Sequence, residues 1–104
     1  MRNRTRWLSN ELVGRLEAAL LDIGKRRPVG YQPWMDELYG KYFSTLRAWG
    51  GNSRTGEHVS HELVEIESLL RDYNDRLKGI SMDDALVRGL EERIRGVQRT
   101  LSSN

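Results

Sequence analysis

The sequence predicts an all-α protein, a four-helix arrangement that ends in a long antiparallel αα-hairpin. Three observations lead there. Apolar residues recur at steps of three and four in four separate segments. No segment sustains the apolar–polar alternation of a half-buried strand. The four segments are parted by stretches carrying glycine or proline, the residues that punctuate helices. A chain of 104 residues holds one core, so residues 1–104 are expected to form a single domain.

The first helix is predicted over residues 10–23. Ser9 or Asn10 caps it, Glu11 suits the positive end of the helix dipole, and Gly24 supplies a left-handed stop. Leu12, Leu16, Ala19, Leu20 and Ile23 fall on one stripe with Val13 beside it, and Leu8 is placed to pack on Val13 as a hydrophobic staple. Residues 1–8 ahead of the cap read as a flexible basic arm. A loop from Lys25 to Gln32 follows, broken by Pro28 and Gly30. Pro33 then suits the first position of a second helix, where its missing N–H costs nothing. That helix is predicted over 33–49, with Trp34, Leu38, Tyr42, Leu46 and Trp49 on one stripe, widened by Tyr39 and Phe43. Gly40 inside it weakens the helix by roughly 1 kcal/mol against alanine. Gly50-Gly51 end it and open a flexible loop to Gly56. The loop is not a domain boundary, because neither side has enough apolar surface to fold well alone.

The third helix is predicted over 60–78, with Leu63, Ile66, Leu70, Tyr73 and Leu77 in a heptad-like seam. Ser81 is expected to cap the fourth, with Asp84 three residues on completing a box-like pair. Leu86, Leu90, Ile94, Val97 and Leu101 continue the same seam. The connection Gly79–Ser81 is so short that the two helices turn back antiparallel, giving a helical hairpin over 60–101. If the two seams are longer than the first two helices can cover, the remainder implies a homodimer through helices three and four.

The charge is close to balanced, with 17 lysines and arginines against 15 acids and a net charge of +2. The balance hides an asymmetry: residues 1–30 carry seven bases and three acids, whereas residues 57–104 carry seven bases and ten acids. Such a dipolar chain attracts partners of either sign. There is no cysteine, which removes disulfides, thiolate nucleophiles and cysteine metal sites together. No apolar run exceeds the four residues Ala18–Leu21, so no membrane association is expected and the cytoplasm is the expected compartment.

Catalytic equipment is scarce. His58 and His61 are the only histidines, and with Glu57, Glu62 and Glu65 nearby they share a helix face at metal-like spacing. Acids at a helix start also suit the helix dipole, so the patch reads as a solvated helix N-terminus, with no metal expected. Asp83-Asp84 and Glu91-Glu92 are sequence neighbours, which point about 100° apart on a helix and form no carboxylate dyad. Loop 50–56 lacks the Gly-Lys-Ser/Thr ending of a phosphate-binding loop. No enzymatic activity, catalytic residue or cofactor is therefore expected.

Two features read as binding surfaces. Six of the eight aromatic residues lie between Tyr31 and Trp49. Most belong to the core, but Tyr39 and Trp49 cannot both be central together with Tyr31 and Trp34. An exposed aromatic beside Arg47 makes an interface hot spot of the usual composition. The expected function is thus a small non-enzymatic regulator or inhibitor that docks on a larger protein machine through Arg26, Arg27, Tyr31, Trp34, Arg47 and Trp49. The second feature is the basic front. Arg2, Arg4 and Arg6 in the arm, with the Lys25–Arg27 cluster, could lie along phosphates, and the alternative is a nucleic-acid-binding transcriptional regulator. Three arginines neutralise about three phosphates, which gives weak and salt-sensitive binding. Gly89 and Gly96, seven residues apart on one face, leave room for another helix of this chain or of a second copy. Glu91 and Glu92 are spaced to pair with Arg95 and Arg99.

Overall fold

The protein is described by a computed structural model, which covers the backbone of residues 3–30, 53–79 and 83–102 and the side chains of 9–30, 56–79 and 83–102. Within those residues the chain is all-helical and has no strand. Helix α1 spans Asn3–Gly24, α2 spans Ser53–Leu77 and α3 spans Asp84–Ser102. The helix predicted over 33–49 and the predicted cap Ser81 lie outside the described residues.

Helix α1 begins at Asn3 instead of Asn10, so residues 3–8 continue the helix and are not an arm. No glycine or proline interrupts the chain between Asn3 and Val13, so nothing local stops the helix from extending. Ser9 accordingly does not cap. It is buried one turn before Val13, and its hydroxyl donates to the Leu101 carbonyl at 2.7 Å, fixing the start of α1 to the end of α3. At the other end, Gly24 is the last helical residue and the left-handed position falls on Arg26, with φ 54°. The Arg26 N–H donates to the Ile23 carbonyl and the Arg27 N–H to the Asp22 carbonyl, the pair of bonds that defines a Schellman stop. A non-glycine residue there costs roughly 1–2 kcal/mol in backbone strain. The Arg26 guanidinium offsets part of it by donating to the Ile23 carbonyl at 3.3 Å and to an Asp84 carboxylate oxygen at 3.2 Å.

Helix α2 starts at Ser53, seven residues before Ser60, so the second half of the expected 50–56 loop is helical. Gly56 is buried, and helix packing there outweighs its poor intrinsic propensity. The apolar stripe therefore begins one turn earlier, at Val59, and continues through Leu63, Ile66, Leu70 and Tyr73, with Leu77 only half-buried at its end. Helix α3 starts at Asp84. Asp83 is its cap: the carboxylate accepts the Ala85 N–H at 2.9 Å and the Asp83 carbonyl accepts the N–H groups of Leu86 and Val87. The buried stripe of α3 is Val87, Leu90, Ile94, Val97 and Leu101, with Leu86 half-buried beside it.

Helix α3 packs against both α1 and α2 and so carries the core. Leu12, Leu16, Ala19, Leu20 and Ile23 of α1 are all buried in it, as their spacing predicts. Val29 joins the same cluster from the segment after α1. Each of these leucine, isoleucine and valine side chains contributes about 1.5–3 kcal/mol on burial. Leu21, on the opposite face of α1, is 58% exposed. Leu63→Ala is expected to lower the unfolding free energy by about 2–5 kcal/mol, and Leu21→Ala by less than about 0.5 kcal/mol. Urea denaturation of the two variants measures the difference, and similar losses would mean that Leu21 is covered.

Candidate functional site

The segment that leaves α1 is held by two adjacent side chains of α2. The Tyr73 hydroxyl donates to the Arg27 carbonyl at 2.8 Å. The Asn74 amide reaches both sides of Val29: its oxygen accepts the Val29 N–H at 2.9 Å and its nitrogen donates to the Val29 carbonyl at 3.1 Å. A single side chain thus supplies both partners that a neighbouring strand would give to one residue. The Val29 side chain is buried beneath this clamp, while Lys25, Arg26, Arg27 and Pro28 are exposed. The signal for the clamp in the sequence is faint. Asn74 stands one turn after Leu70 and three residues before Leu77, a polar residue with poor helix propensity at the edge of an apolar stripe.

This arrangement separates the three cations of the cluster. Arg26 is tied to Ile23 and Asp84. Lys25 and Arg27 have no ion-pair or side-chain hydrogen-bond partner among the described residues. Of the other residues expected to bind a partner, Arg2, Tyr31, Trp34, Arg47 and Trp49 lie outside the described residues, as do the side chains of Arg4 and Arg6.

Most acids of α2 are engaged by nearby bases. Arg93 of α3 donates to Glu65 at 3.3 Å and lies 3.9 Å from Glu62. Glu67 meets Arg71 at 2.6 Å, Asp72 meets Arg76 at 3.2 Å, and Asp75 lies 3.9 Å from Lys78. Apart from Glu67, which is buried, these are exposed pairs that add little stability, so their main effect is on the surface potential. The expected pairing of Glu91 and Glu92 with Arg95 and Arg99 is not made. His61 lies 4.0 Å from Glu65, and His58 lines a shallow open cleft of about 440 Å³ between α2 and α3. Gly89 and Gly96 line the same cleft, and a Cβ at Gly89 would meet only open space. Among the described residues no three His, Cys, Asp or Glu side chains converge on a metal-sized site. No described helix is long and apolar enough to cross a membrane.

No protein-family model, curated protein or solved structure matches the chain.

The clamp makes two measurable predictions. Asn74→Ala leaves the N–H and carbonyl of Val29 without their partner and is expected to cost about 1–3 kcal/mol. Amide hydrogen exchange should show the Val29 N–H losing protection before the amides of α2. Burial raises the Tyr73 phenol above its ordinary value of 10.0; Arg26 opposes the shift, and Asp22 and Glu91 reinforce it. The folded state therefore holds this proton more tightly than the unfolded chain does. Its contribution is intact below pH 10 and is lost as the pH rises through the folded value. Tyr73→Phe should be less stable than the parent at neutral pH and should lose less stability above pH 10, as read by denaturation at a series of pH values.

Proposed function

We propose that this chain is a small, non-enzymatic regulatory or inhibitory binding protein that docks on a larger protein machine, acting in the cytoplasm. Its docking surface is assigned to Arg26, Arg27, Tyr31, Trp34, Arg47 and Trp49. The clamp supports this proposal: Tyr73 and Asn74 hold the backbone of Arg27 and Val29, so the exposed Arg26 and Arg27 of this surface are presented from an anchored segment. Holding Arg26 and Arg27 in place before binding lowers the entropy these two residues lose when they meet a partner. In its finer architecture the protein is proposed to be a four-helix arrangement whose residues 60–101 form a long antiparallel hairpin. The contacts of Arg93 with Glu62 and Glu65 are consistent with that hairpin, as is the cap at Asp83. A homodimer through α2 and α3 is the proposed assembly. Pull-down from the native host with Trp34→Ala and Trp49→Ala tests the docking surface. Both variants should lose partner capture while their helical circular dichroism stays unchanged, and a parallel loss of helix would overturn the assignment of these residues to an interface.

A second proposal is a nucleic-acid-binding transcriptional regulator that uses Arg2, Arg4 and Arg6 with the Lys25–Arg27 cluster. The exposed and unpaired state of Lys25 and Arg27 favours it. Gel-shift titrations at about 50 and about 200 mM salt should show binding that weakens steeply with salt. Deleting Met1–Arg6 should reduce it further. No retardation at the lower salt would exclude nucleic acid.

A further inference from the structure

The outer face of α3 carries a feature that neither proposal above uses. Arg88, Arg95 and Arg99 are exposed, and none has an ion-pair or hydrogen-bond partner among the described residues. Steps of seven and four residues are close to two turns and one turn, so the three arginines lie on one line along the helix. The line is about 16 Å long, from 1.5 Å of rise per residue. It runs opposite the buried stripe of Leu90, Ile94, Val97 and Leu101. Glu92 is the one acid along it, and Glu91 stands half-buried to the side.

Charge pairing accounts for this line within a segment whose sequence is net acidic. Glu62, Glu65, Glu67, Asp72 and Asp75 of α2 are occupied by Arg71, Arg76, Lys78 and Arg93. The acid at the start of α3, Asp84, is occupied by Arg26. That last pair has a second consequence. It brings Arg26 to the N-terminal end of α3, where its guanidinium meets Asp84 one turn before Arg88.

We propose that the outer face of α3, with Arg88, Arg95 and Arg99, is a ridge that binds the phosphodiester backbone of nucleic acid. The inference rests on the nucleic-acid proposal and assigns its main contact surface to α3. Arginine presents a planar fork of donors that matches phosphate oxygens. A straight row of like charges complements a polymer whose charges repeat along its length. Val87, Leu90, Ile94, Val97 and Leu101 of α3 are buried and Leu86 stands half-buried on their side, which leaves no large apolar side chain on this face to insert into a lipid surface. Backbone contacts of this kind position a protein on nucleic acid without reading its sequence.

Fluorescence anisotropy with a labelled, mixed-sequence DNA duplex tests the ridge on the full chain. Replacing Arg88, Arg95 and Arg99 together by glutamine should weaken binding at least tenfold at low salt. The slope of log affinity against log salt should become shallower by about 2.7, or 0.9 for each of three phosphates. Glu92→Gln adds one unit of positive charge on the ridge and should tighten binding, whereas Ser68→Lys adds the same charge on the exposed face of α2 and should tighten it less. That gain cannot be produced by misfolding. A triple variant with full affinity and an unchanged slope would overturn the ridge while leaving the nucleic-acid proposal in place. Absence of binding by the parent protein at low salt would overturn both. Equal affinity for poly-glutamate bearing a matching dye would overturn any nucleic-acid assignment, since phosphate and carboxylate polymers would then be indistinguishable to this face.

Discussion

The hydrogen bonds from Tyr73 and Asn74 to the backbone of Arg27 and Val29 are the constraint on which the arrangement of the described helices most depends. Helices α1 and α2 both pack on α3, but burial alone is non-directional and leaves the axial position of each helix loosely specified. Three directed bonds between the exit of α1 and the last turn of α2 remove that freedom. They also bury Val29 and turn the neighbouring bases outward. The left-handed backbone at Arg26 belongs to the same corner. A residue that pays a conformational penalty is held there because its guanidinium bridges the end of α1 and the start of α3.

The opposite ends of α1 and α3 are joined by a single bond, from the Ser9 hydroxyl to the Leu101 carbonyl. It satisfies a carbonyl in the last turn of α3, a position with no partner inside the helix. Between this bond and the Arg26–Asp84 pair, Gln98 donates to the Val13 carbonyl and to the Glu17 carboxylate. Helix α1 is thus attached to α3 by polar contacts at both ends and in the middle, along the edge of the apolar stripe that buries Leu12, Leu16 and Ile23.

Folding also redistributes the charge. Along the sequence, bases lead and acids follow. In three dimensions the acids of α2 find bases one turn away or across on α3, and the unpaired cations gather at the α1–α3 corner and along the outer face of α3. The surface potential that a partner meets is therefore set by which charges remain unpaired, and the segment totals do not reveal it. Arg93 and Arg95 illustrate the point. They are two residues apart on one helix, yet Arg93 is occupied by Glu62 and Glu65 while Arg95 faces solvent alone.

The sequence by itself determined the all-helical class and the apolar stripes. The α1 stripe from Leu12 to Ile23, the α2 stripe from Leu63 to Tyr73 and the α3 stripe from Leu90 to Leu101 are buried as their spacing requires, because helical periodicity is a local property written in consecutive residues. Helix starts were less legible. Asn3 and Ser53 replace the expected Asn10 and Ser60, since a helix can extend past a plausible cap whenever its backbone is free and its next turn is packed. Of the candidate site, the sequence showed the Lys25–Arg27 cluster but not the clamp beneath it, nor which bases remain unpaired. Those features were decided by the tertiary structure. Ser9 and Leu101 are 92 positions apart, Val29 and Asn74 are 45 apart, and Arg26 and Asp84 are 58 apart. A hydrogen bond or ion pair between such residues depends on where folding brings two distant turns together, and no spacing rule within either helix can specify it.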